Sequence, residues 1–195
     1  SIPVIVWFFP FSALTIVSLG WVLFEVFFIL AVVNSVNLTD GIDGLLTFVS
    51  IPIFFFYTVV LWSQGQTIGA VFTLIMAGTL LGFAIFNAYP ARVFMGNVGS
   101  FAIGGAIVSL AILSHTELYL LLIGLLFVWE ALSVMLQVSW FKYTKKRFGE
   151  GRRIFRMSPF HHHLELKGMS ETQIVVLFTS VEIVLCALAG VIYFL

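Results

Sequence analysis

Long apolar runs separated by short polar connections dominate the pattern of this 195-residue chain. A helix needs about 20 apolar residues to cross the hydrocarbon core of a bilayer, and most of the runs approach that length. The pattern therefore predicts an all-α integral membrane protein with about six transmembrane helices. The predicted spans are Trp21–Val36, Leu45–Trp62, Ile68–Phe86, Phe101–Leu113, Leu118–Trp140 and Gln173–Leu195.

The first 20 residues are apolar but contain Pro3 and Pro10. A proline inside a helix removes a hydrogen bond and breaks or kinks the helix. The segments Val4–Phe9 and Thr15–Leu19 are rich in β-branched and aromatic residues, which favour strands. We therefore predict a short extracytoplasmic β-hairpin over residues 1–20. The chain also begins at Ser1 within apolar sequence rather than at Met, which indicates a fragment.

Composition excludes the soluble class. Hydrophobic residues make up 61% of the chain and charged residues only 9%, whereas about a quarter of the residues of an ordinary soluble domain are charged. The single cysteine, Cys186, excludes a disulfide within the chain and a thiolate metal site. We expect one transmembrane domain over residues 1–195, with the hairpin at 1–20, five spans in 21–141, a cytoplasmic loop at 142–172 and the last span at 173–195.

The basic residues indicate the orientation. Arg92 follows the third span, and the other eight lysines and arginines lie in the loop before the sixth. The connections 63–67 and 114–117 carry neither residue type. Because basic loops stay in the cytoplasm, the Arg92 loop, the long loop and the polar stretch after the first span are predicted to be cytoplasmic. The C-terminus is then predicted to lie outside.

Three polar clusters share that predicted cytoplasmic face: Asn34–Gly44, Asn87–Ser100 and Arg152–His163. Carboxylates and Asn oxygens suit Mg²⁺, and Arg and His suit an anionic substrate. Glycines at 96 and 99 let the backbone approach a ligand and present N–H groups at a helix start. Together these features are typical of phosphoryl transfer.

Each cluster also has a simpler interpretation. The Asp-Gly-Ile-Asp-Gly stretch at 40–44 can be a solvated turn after a helix, and Gly96-x-x-Gly99 can be a helix-capping loop. The basic loop can serve only as a topology signal that contacts anionic lipid. Zinc at the three histidines is disfavoured because the common i, i+4 ligand spacing is missing.

Three glutamates, Glu25, Glu130 and Glu182, lie inside predicted spans, where ionisable groups are costly and often functional. Glu130, Ser133 and Gln137 share one helix face, where they either line a cavity or bond to a neighbouring helix. Such acids leave an ion-coupled transporter as an alternative class. That class predicts internal repeats and acids spread over the membrane depth. No repeat is evident, and the polar residues concentrate on one side.

The polar clusters contain three motifs: Asn34-x-x-Asn37-Leu-Thr-Asp40-Gly-x-Asp43-Gly, Asn87-x-Tyr-Pro-Ala-x-Val-Phe94-Met-Gly-x-x-Gly-Ser100 and Phe155-Arg156-Met-x-Pro-x-His161-His162-His163-x-Glu165-Leu-Lys167-Gly168. These motifs resemble those of the phospho-N-acetylmuramoyl-pentapeptide transferases (MraY type) of the polyprenyl-phosphate sugar-1-phosphate transferase superfamily. The resemblance covers essentially the whole chain in order, and the His motif is specific within the superfamily.

The resemblance implies a ten-helix, Mg²⁺-dependent, usually homodimeric enzyme of the bacterial inner (cytoplasmic) membrane. It would transfer phospho-N-acetylmuramoyl-pentapeptide from UDP-MurNAc-pentapeptide to undecaprenyl phosphate, releasing UMP and giving lipid I for peptidoglycan. Nucleoside inhibitors or a partner protein are further expected ligands, and nucleic acid is not. The expected catalytic residues are Asp40, Asn97, His161, His162 and His163, with Asp40 and position 97 as metal ligands. The expected substrate contacts are Asn34, Asn37, Gly41, Ile42, Asp43, Asn87, Phe94, Gln137 and Arg156.

Two departures from the family pattern matter. The family's paired aspartates and a nearby lysine belong to a preceding half with about four spans, which this sequence lacks, so the chain alone is expected to be an incomplete enzyme. The family also has Asp where this chain has Asn97, and loss of that charge weakens binding of a hard dication. We interpret Asn97 as an inactivating substitution, with natural variation as the alternative. A transferase specific for UDP-N-acetylglucosamine is a further alternative, which the unbroken His161–His163 run disfavours.

Overall fold

The structure is a computed structural model that describes the backbone of residues 11–195 and the side chains from residue 19 onward. Every regular element in this part of the chain is helical. The helices are α1 (Phe11–Thr39), α2 (Leu45–Ser63), α3 (Thr67–Asn87), α4 (Gly96–Leu113), α5 (Leu120–Ile123), α6 (Leu125–Phe148), α7 (Phe160–Glu165) and α8 (Glu171–Phe194), with a 3-10 turn at Glu117–Tyr119 before α5.

Six of these helices are long and apolar enough to cross a membrane: α1 from Leu19 onward, α2, α3, α4, α6 and α8. The all-α fold class and the number of spans predicted from the hydrophobic pattern are thus confirmed. Helices satisfy every backbone hydrogen bond internally, and this explains why apolar segments of this length adopt them in lipid.

The predicted β-hairpin is not found. Its second strand, Thr15–Leu19, belongs to helix α1, and its first strand, Val4–Phe9, lies outside the described residues. The β-branched and aromatic residues that suggested strands are equally common in membrane helices. In lipid the requirement for internal backbone hydrogen bonds outweighs their strand propensity.

The fifth predicted span and the long loop also differ from expectation. Instead of one helix over Leu118–Trp140, the chain forms the short helix α5, a break at Gly124 and then α6, which continues to Phe148. The basic residues at 142–147 are therefore helical rather than part of a loop. The stretch between α6 and α8 also contains the short helix α7, which begins directly after Pro159 and carries the three histidines.

The chain divides into two compact units, Ser1–Ala31 and Val32–Leu195. In the first unit, α1 carries exposed apolar side chains such as Trp21 and Phe27. The second unit is built around α2, which packs against α3, α4 and α8. Large side chains of α2, among them Phe54 and Tyr57, are fully buried there. All the predicted site residues belong to this second unit.

The second unit has a polar cluster at each end of its helices. At one end, where α2 finishes and α3 begins, the Gln64 Nε2 donates to the Ser114 carbonyl at 2.9 Å and to the Tyr193 hydroxyl at 3.0 Å. The opposite ends of the same helices carry the turn after α1, the α3–α4 connection and α7. The three motif segments meet at that end, where Ala91 bonds to Asp43 and the His161 ring lies on Gly41.

Candidate active site

The turn between α1 and α2, residues Asp40–Gly44, is the centre of the polar cluster. Gly44 has φ +79°, a conformation that glycine adopts without strain, and the turn passes directly into α2. The Asp43 carboxylate accepts a hydrogen bond from the Ala91 N–H at 2.8 Å. The Asp43 N–H donates to the Glu171 carboxylate, in the first turn of α8, at 2.9 Å. Asp43 therefore ties the α3–α4 connection and α8 to this turn.

The end of α1 is bonded to the beginning of α4 through Asn37. Its side-chain N–H₂ donates to the Asn97 side-chain oxygen Oδ1 at 3.1 Å and to the Ser100 hydroxyl at 2.8 Å. Asn37 and Asp40 are three residues apart, so Asn97 is brought to the end of α1 from which the Asp40 turn begins. The two predicted metal positions, Asp40 and Asn97, thus belong to neighbouring segments.

A second chain of hydrogen bonds fixes the connection between α3 and α4. The Thr47 hydroxyl donates to the Asn87 side-chain oxygen at 2.6 Å, and the Asn87 N–H₂ donates to the Val93 carbonyl at 3.0 Å. Both side chains are buried. Phe94 follows directly and is 73% exposed. Asn87 therefore holds the loop, while the Phe94 ring is free to stack on a planar group.

Helix α7 is bonded to the membrane helix α6 by a buried pair. The Glu130 carboxylate accepts from the Phe160 N–H at 2.7 Å and the His161 N–H at 3.2 Å, and it lies 3.1 Å from the His161 Nδ1. Neither side chain is exposed. The His161 ring packs directly on Gly41, where a Cβ would overlap it. His161 thus touches the central turn and is closed off from solvent.

The other two histidines of α7 are partly exposed. His162 Nδ1 lies 2.9 Å from the Glu165 carboxylate. His163 Nδ1 accepts the Arg156 N–H at 3.0 Å, so its proton is carried on Nε2. Burial lowers the pKa of His163, and the positive charges of Lys167 and Arg156 act in the same direction. His163 is therefore neutral at pH 7 and presents an N–H donor.

Gln137 lies under the loop that leads into α7. Its amide oxygen accepts the N–H groups of Ile154 and Phe155 at 3.0 and 2.9 Å, and its N–H₂ donates to the Phe155 carbonyl at 3.0 Å. Gln137 was predicted to contact substrate, but these bonds occupy its amide with the loop backbone. The structure thus gives it, together with Glu130 on the same helix face, the role of holding the α6–α7 segment.

Asp40 differs from the other acidic groups of the cluster because its carboxylate is partly buried without a bonding partner in the part of the chain that the structure describes. Its carboxylate has no hydrogen-bond or ion-pair partner among the described residues, and partial burial raises its pKa. No group of three His, Cys, Asp or Glu side chains suited to a metal occurs in the described part of the chain. The site therefore offers one desolvated, unpaired carboxylate near an Asn oxygen. That donor set fits a cation whose remaining ligands are waters and substrate phosphates.

The predicted residues differ in their place. Asn37, Asp43, Asn87, Asn97 and His161 lie in the bonded network, and Asp40 and Gly41 belong to the turn that it holds. Of the other predicted residues, Asn34, Phe94 and Arg156 are exposed, and His162 and His163 are partly exposed.

Three residues of the network were not among the predicted site residues: Thr47, Ser100 and Glu171. Glu171 resembles an ordinary acid in the first turn of a helix, because it follows the N-cap residue Ser170 in a capping box. Thr47 and Ser100 resemble small polar residues of membrane helices. Only the tertiary contacts reveal that they hold the site.

The fold and the site together define a multi-span membrane protein whose polar chemistry, suited to a cation and an anion, is gathered at one end of its helices. The sequence comparison agrees with this class. Residues 1–115 match the family model described as glycosyl transferase family 4, and the chain belongs to that family.

Individual relatives are similar along most of the chain. A phospho-N-acetylmuramoyl-pentapeptide-transferase of Streptococcus uberis is 53% identical over 153 residues, which are 78% of this chain and 46% of that protein. Proteins of the same name from Geobacillus kaustophilus and Bacillus pumilus are 50% and 49% identical over 90% and 88% of this chain, each match covering 52% of the relative. The chain spans about half the length of these relatives.

Proposed function

We propose that the complete protein transfers phospho-N-acetylmuramoyl-pentapeptide from UDP-MurNAc-pentapeptide to undecaprenyl phosphate, with UMP and lipid I as products. The observation that carries the proposal is the meeting of the three motif segments in one cluster, through the Asp43, Asn37 and His161 contacts. The similarity to phospho-N-acetylmuramoyl-pentapeptide-transferases at about 50% identity supports the same reaction.

The metal of this reaction would be Mg²⁺. Asp40 would hold it with Asn97 beside it, since a Mg²⁺ site on a phosphorylated substrate needs only one or two carboxylates from the protein. When bound, Mg²⁺ would neutralise charge on the pyrophosphate. Asn97 is the weaker of the two ligands, because an amide brings no negative charge.

The other residues have positioning roles in this proposal. The turn at Gly41–Asp43 and the exposed Phe94 ring would bind the uracil. The N–H of neutral His163, with His162 and Arg156, would hold phosphate oxygens, since donors directed at anionic oxygens are the main catalytic contribution of a protein to phosphoryl transfer. The overall reaction joins an oxygen of the lipid phosphate to the sugar-bearing phosphorus and breaks the bond from that phosphorus to UMP.

The proposed setting is the bacterial cytoplasmic membrane, with the active site on the cytoplasmic face and the bilayer and a second copy as partners. The distribution of the nine basic residues supports this orientation. The Gln64 end of the helices carries no Lys or Arg in its connections at 63–67 and 114–117.

The test is UMP release by the complete protein in lipid vesicles, with Asn97→Asp to supply the expected carboxylate. We expect UMP only when UDP-MurNAc-pentapeptide, undecaprenyl phosphate and Mg²⁺ are all present. Absence of UMP under these conditions would refute the proposal.

A substrate exchange decides between the proposal and its close alternative. If UDP-N-acetylglucosamine replaced UDP-MurNAc-pentapeptide without loss of rate, the protein would belong with the other sugar-1-phosphate transferases. Binding of a nucleoside inhibitor, measured with and without Mg²⁺, would separate occupation of the uracil site from turnover.

A further inference from the structure

Glu130 is fully buried on α6, a helix long and apolar enough to span the membrane, yet its carboxylate is surrounded by donors. It accepts two backbone N–H groups, from Phe160 and His161, and faces the His161 Nδ1. An ionised carboxylate only accepts hydrogen bonds, so the two converging backbone donors match its charged form. Because Glu130 is the acceptor, the Nδ1 of His161 must carry the proton.

The other ring nitrogen of His161, Nε2, is buried and has no hydrogen-bond partner among the described residues. Orphaned N–H groups are rarer in proteins than under-satisfied acceptors. The neutral ring with its proton on Nδ1 leaves a lone pair at Nε2, whereas the other tautomer would leave an unpaired N–H there. The geometry thus selects a single tautomer.

The Nε2 edge of this ring lies on Gly41, the residue that follows Asp40. The contact leaves no room for a methyl group, so a movement of the ring toward Gly41 would displace the turn. Three aromatic rings, Trp129, Phe155 and Phe160, pack edge to face beside the pair, with centroids 5.5–6.4 Å apart. Glu130 itself is fully buried, so water does not reach its hydrogen bonds.

We propose that Glu130 is a positioning residue for the transfer reaction: it fixes the tautomer and orientation of His161, and through the contact of His161 with Gly41 it holds the Asp40 carboxylate in place. This inference rests on the proposed function, and it adds a residue that lies outside the three motifs. The Glu130 carboxylate does not touch substrate. It acts through His161, whose ring contacts the turn at Gly41.

The first measurement is made without any substitution at Glu130. Nitrogen-15 spectra of the complete protein labelled at its histidines, with His161 assigned by loss of its signal in His161→Asn, report which ring nitrogen is protonated. We expect a protonated Nδ1 and an unprotonated Nε2 for His161 near pH 8. A ring with its proton on Nε2 would overturn the proposal whether or not the protein turns over.

The second measurement compares Glu130→Gln and Glu130→Asp with their parent protein, and all three carry Asn97→Asp so that transfer can be measured. Gln keeps the size but turns an amide N–H₂ toward the N–H donors of α7, whereas Asp keeps a carboxylate. We expect Gln to lower kcat by about 10- to 100-fold, the range found when partners that orient a ligating side chain are removed. The KM for the UDP substrate should stay within about twofold, and the His161 signal should become mixed. Glu130→Asp should retain a higher kcat than Glu130→Gln and a His161 signal closer to that of the parent protein.

Glu182→Gln is the matched control. Glu182 is another fully buried glutamate of a membrane-spanning helix, and it accepts from Cys186 within α8. Its exchange should leave kcat and the His161 spectrum unchanged. Full activity of Glu130→Gln with an unchanged His161 spectrum would overturn the proposal. A fall in kcat of Glu182→Gln as large as that of Glu130→Gln would also overturn it. If the protein carrying Asn97→Asp releases no UMP while His161 has the expected tautomer, the proposed function fails and the hydrogen-bonded pair stands.

Discussion

At the residue scale, Gly41 is the position most sensitive to added volume. A Cβ there would overlap the His161 ring, which is held on its other side by Glu130 and cannot move aside without breaking hydrogen bonds. We expect Gly41→Ala to reduce transfer by about 100-fold, as a misplacement of about 1 Å in a positioned site does. The measurement is UMP release per folded protein.

Gly82→Ala on α3 is the control for this substitution, because nothing lies within 4 Å of the added methyl group. Alanine in a helix interior is favoured over glycine, so the control should be as stable as the wild type or slightly more stable. Equal activity of the two variants would mean that the His161–Gly41 contact does not control the turn.

Asn97 gives a second prediction at this scale. Its side-chain oxygen already accepts from Asn37, so Asn97→Asp can keep that bond and add a negative charge. We expect the half-saturating concentration of Mg²⁺ in the transfer assay to fall about tenfold, because the charge of the ligands tunes cation affinity.

The same charge added at the opposite end of the helices, by Gln66→Glu, controls for a general effect of net charge and should leave the Mg²⁺ requirement unchanged. If Asn97→Asp also left it unchanged, position 97 would not lie beside the metal.

How far the sequence predicted the site can be judged from single residues. The motif residues Asn37, Asp43 and His161 were predicted, and the structure brings them together. Thr47 and Glu171, which bond to these residues or their neighbours, were not predicted, because neither carries a local pattern that distinguishes it from ordinary polar residues of membrane helices. Ser100 was recognised only as the last residue of the second motif, and its bond to Asn37 was not predicted. Gln137 was predicted to contact substrate, because its position on the same helix face as Glu130 does not show which group its amide bonds to. In the structure the amide bonds to the backbone of Ile154 and Phe155.

At the scale of elements, the segment from Ile154 to α7 is held by side chains that each accept backbone N–H groups. One of these acceptors depends on pH. His163 Nδ1 accepts the Arg156 N–H, and protonation would turn that acceptor into a donor. Because the pKa of His163 in the folded state is lowered from its ordinary value of 6.5, the bond is complete above pH 6.5. It is lost as the pH falls through the lower folded-state pKa.

We therefore expect the protection factor of the Arg156 amide in hydrogen exchange to fall on acidification below pH 6.5. In His163→Gln the side-chain oxygen accepts at every pH, so protection should be constant. A wild-type protection factor that does not change with pH would contradict the assignment of Nδ1 as the acceptor.

The helices also show which elements can be predicted from hydrophobicity. Runs near 20 residues long give α2, α3 and α8 with bounds close to those expected. The break at Gly124 and the continuation of α6 to Phe148 were missed, because a basic run after an apolar one suggests a membrane boundary rather than a continuous helix. The hairpin was predicted from strand propensity, which is a weak guide where lipid demands internal hydrogen bonds.

At the scale of the whole molecule, we expect the two polar ends of the second unit to lie on opposite sides of the membrane and therefore to differ in their reaction with a membrane-impermeant reagent. Cysteine introduced at Lys145, near the end of α6, should react with a membrane-impermeant maleimide only after the membrane is opened. Cysteine introduced at His115, in the connection after α4, should react in intact cells. Both positions are exposed in the structure.

The natural Cys186 is buried and should stay unlabelled in both preparations. It therefore gives the background for this measurement. Labelling with the reverse pattern would invert the orientation derived from the basic residues, and the proposed cytoplasmic site with it.

The bond between Asp43 and Glu171 joins residues 128 positions apart. At about 5–20 residues per second, a ribosome would release the Asp43 turn roughly 6 to 26 s before Glu171. During that interval five of the long helices can enter the membrane while the turn lacks both Glu171 and the His161 ring. A nascent chain at this stage has most of its helices in the membrane but does not yet have the contacts that hold the Asp43 turn. Quality control during synthesis would have to recognise an unfinished site rather than an uninserted protein.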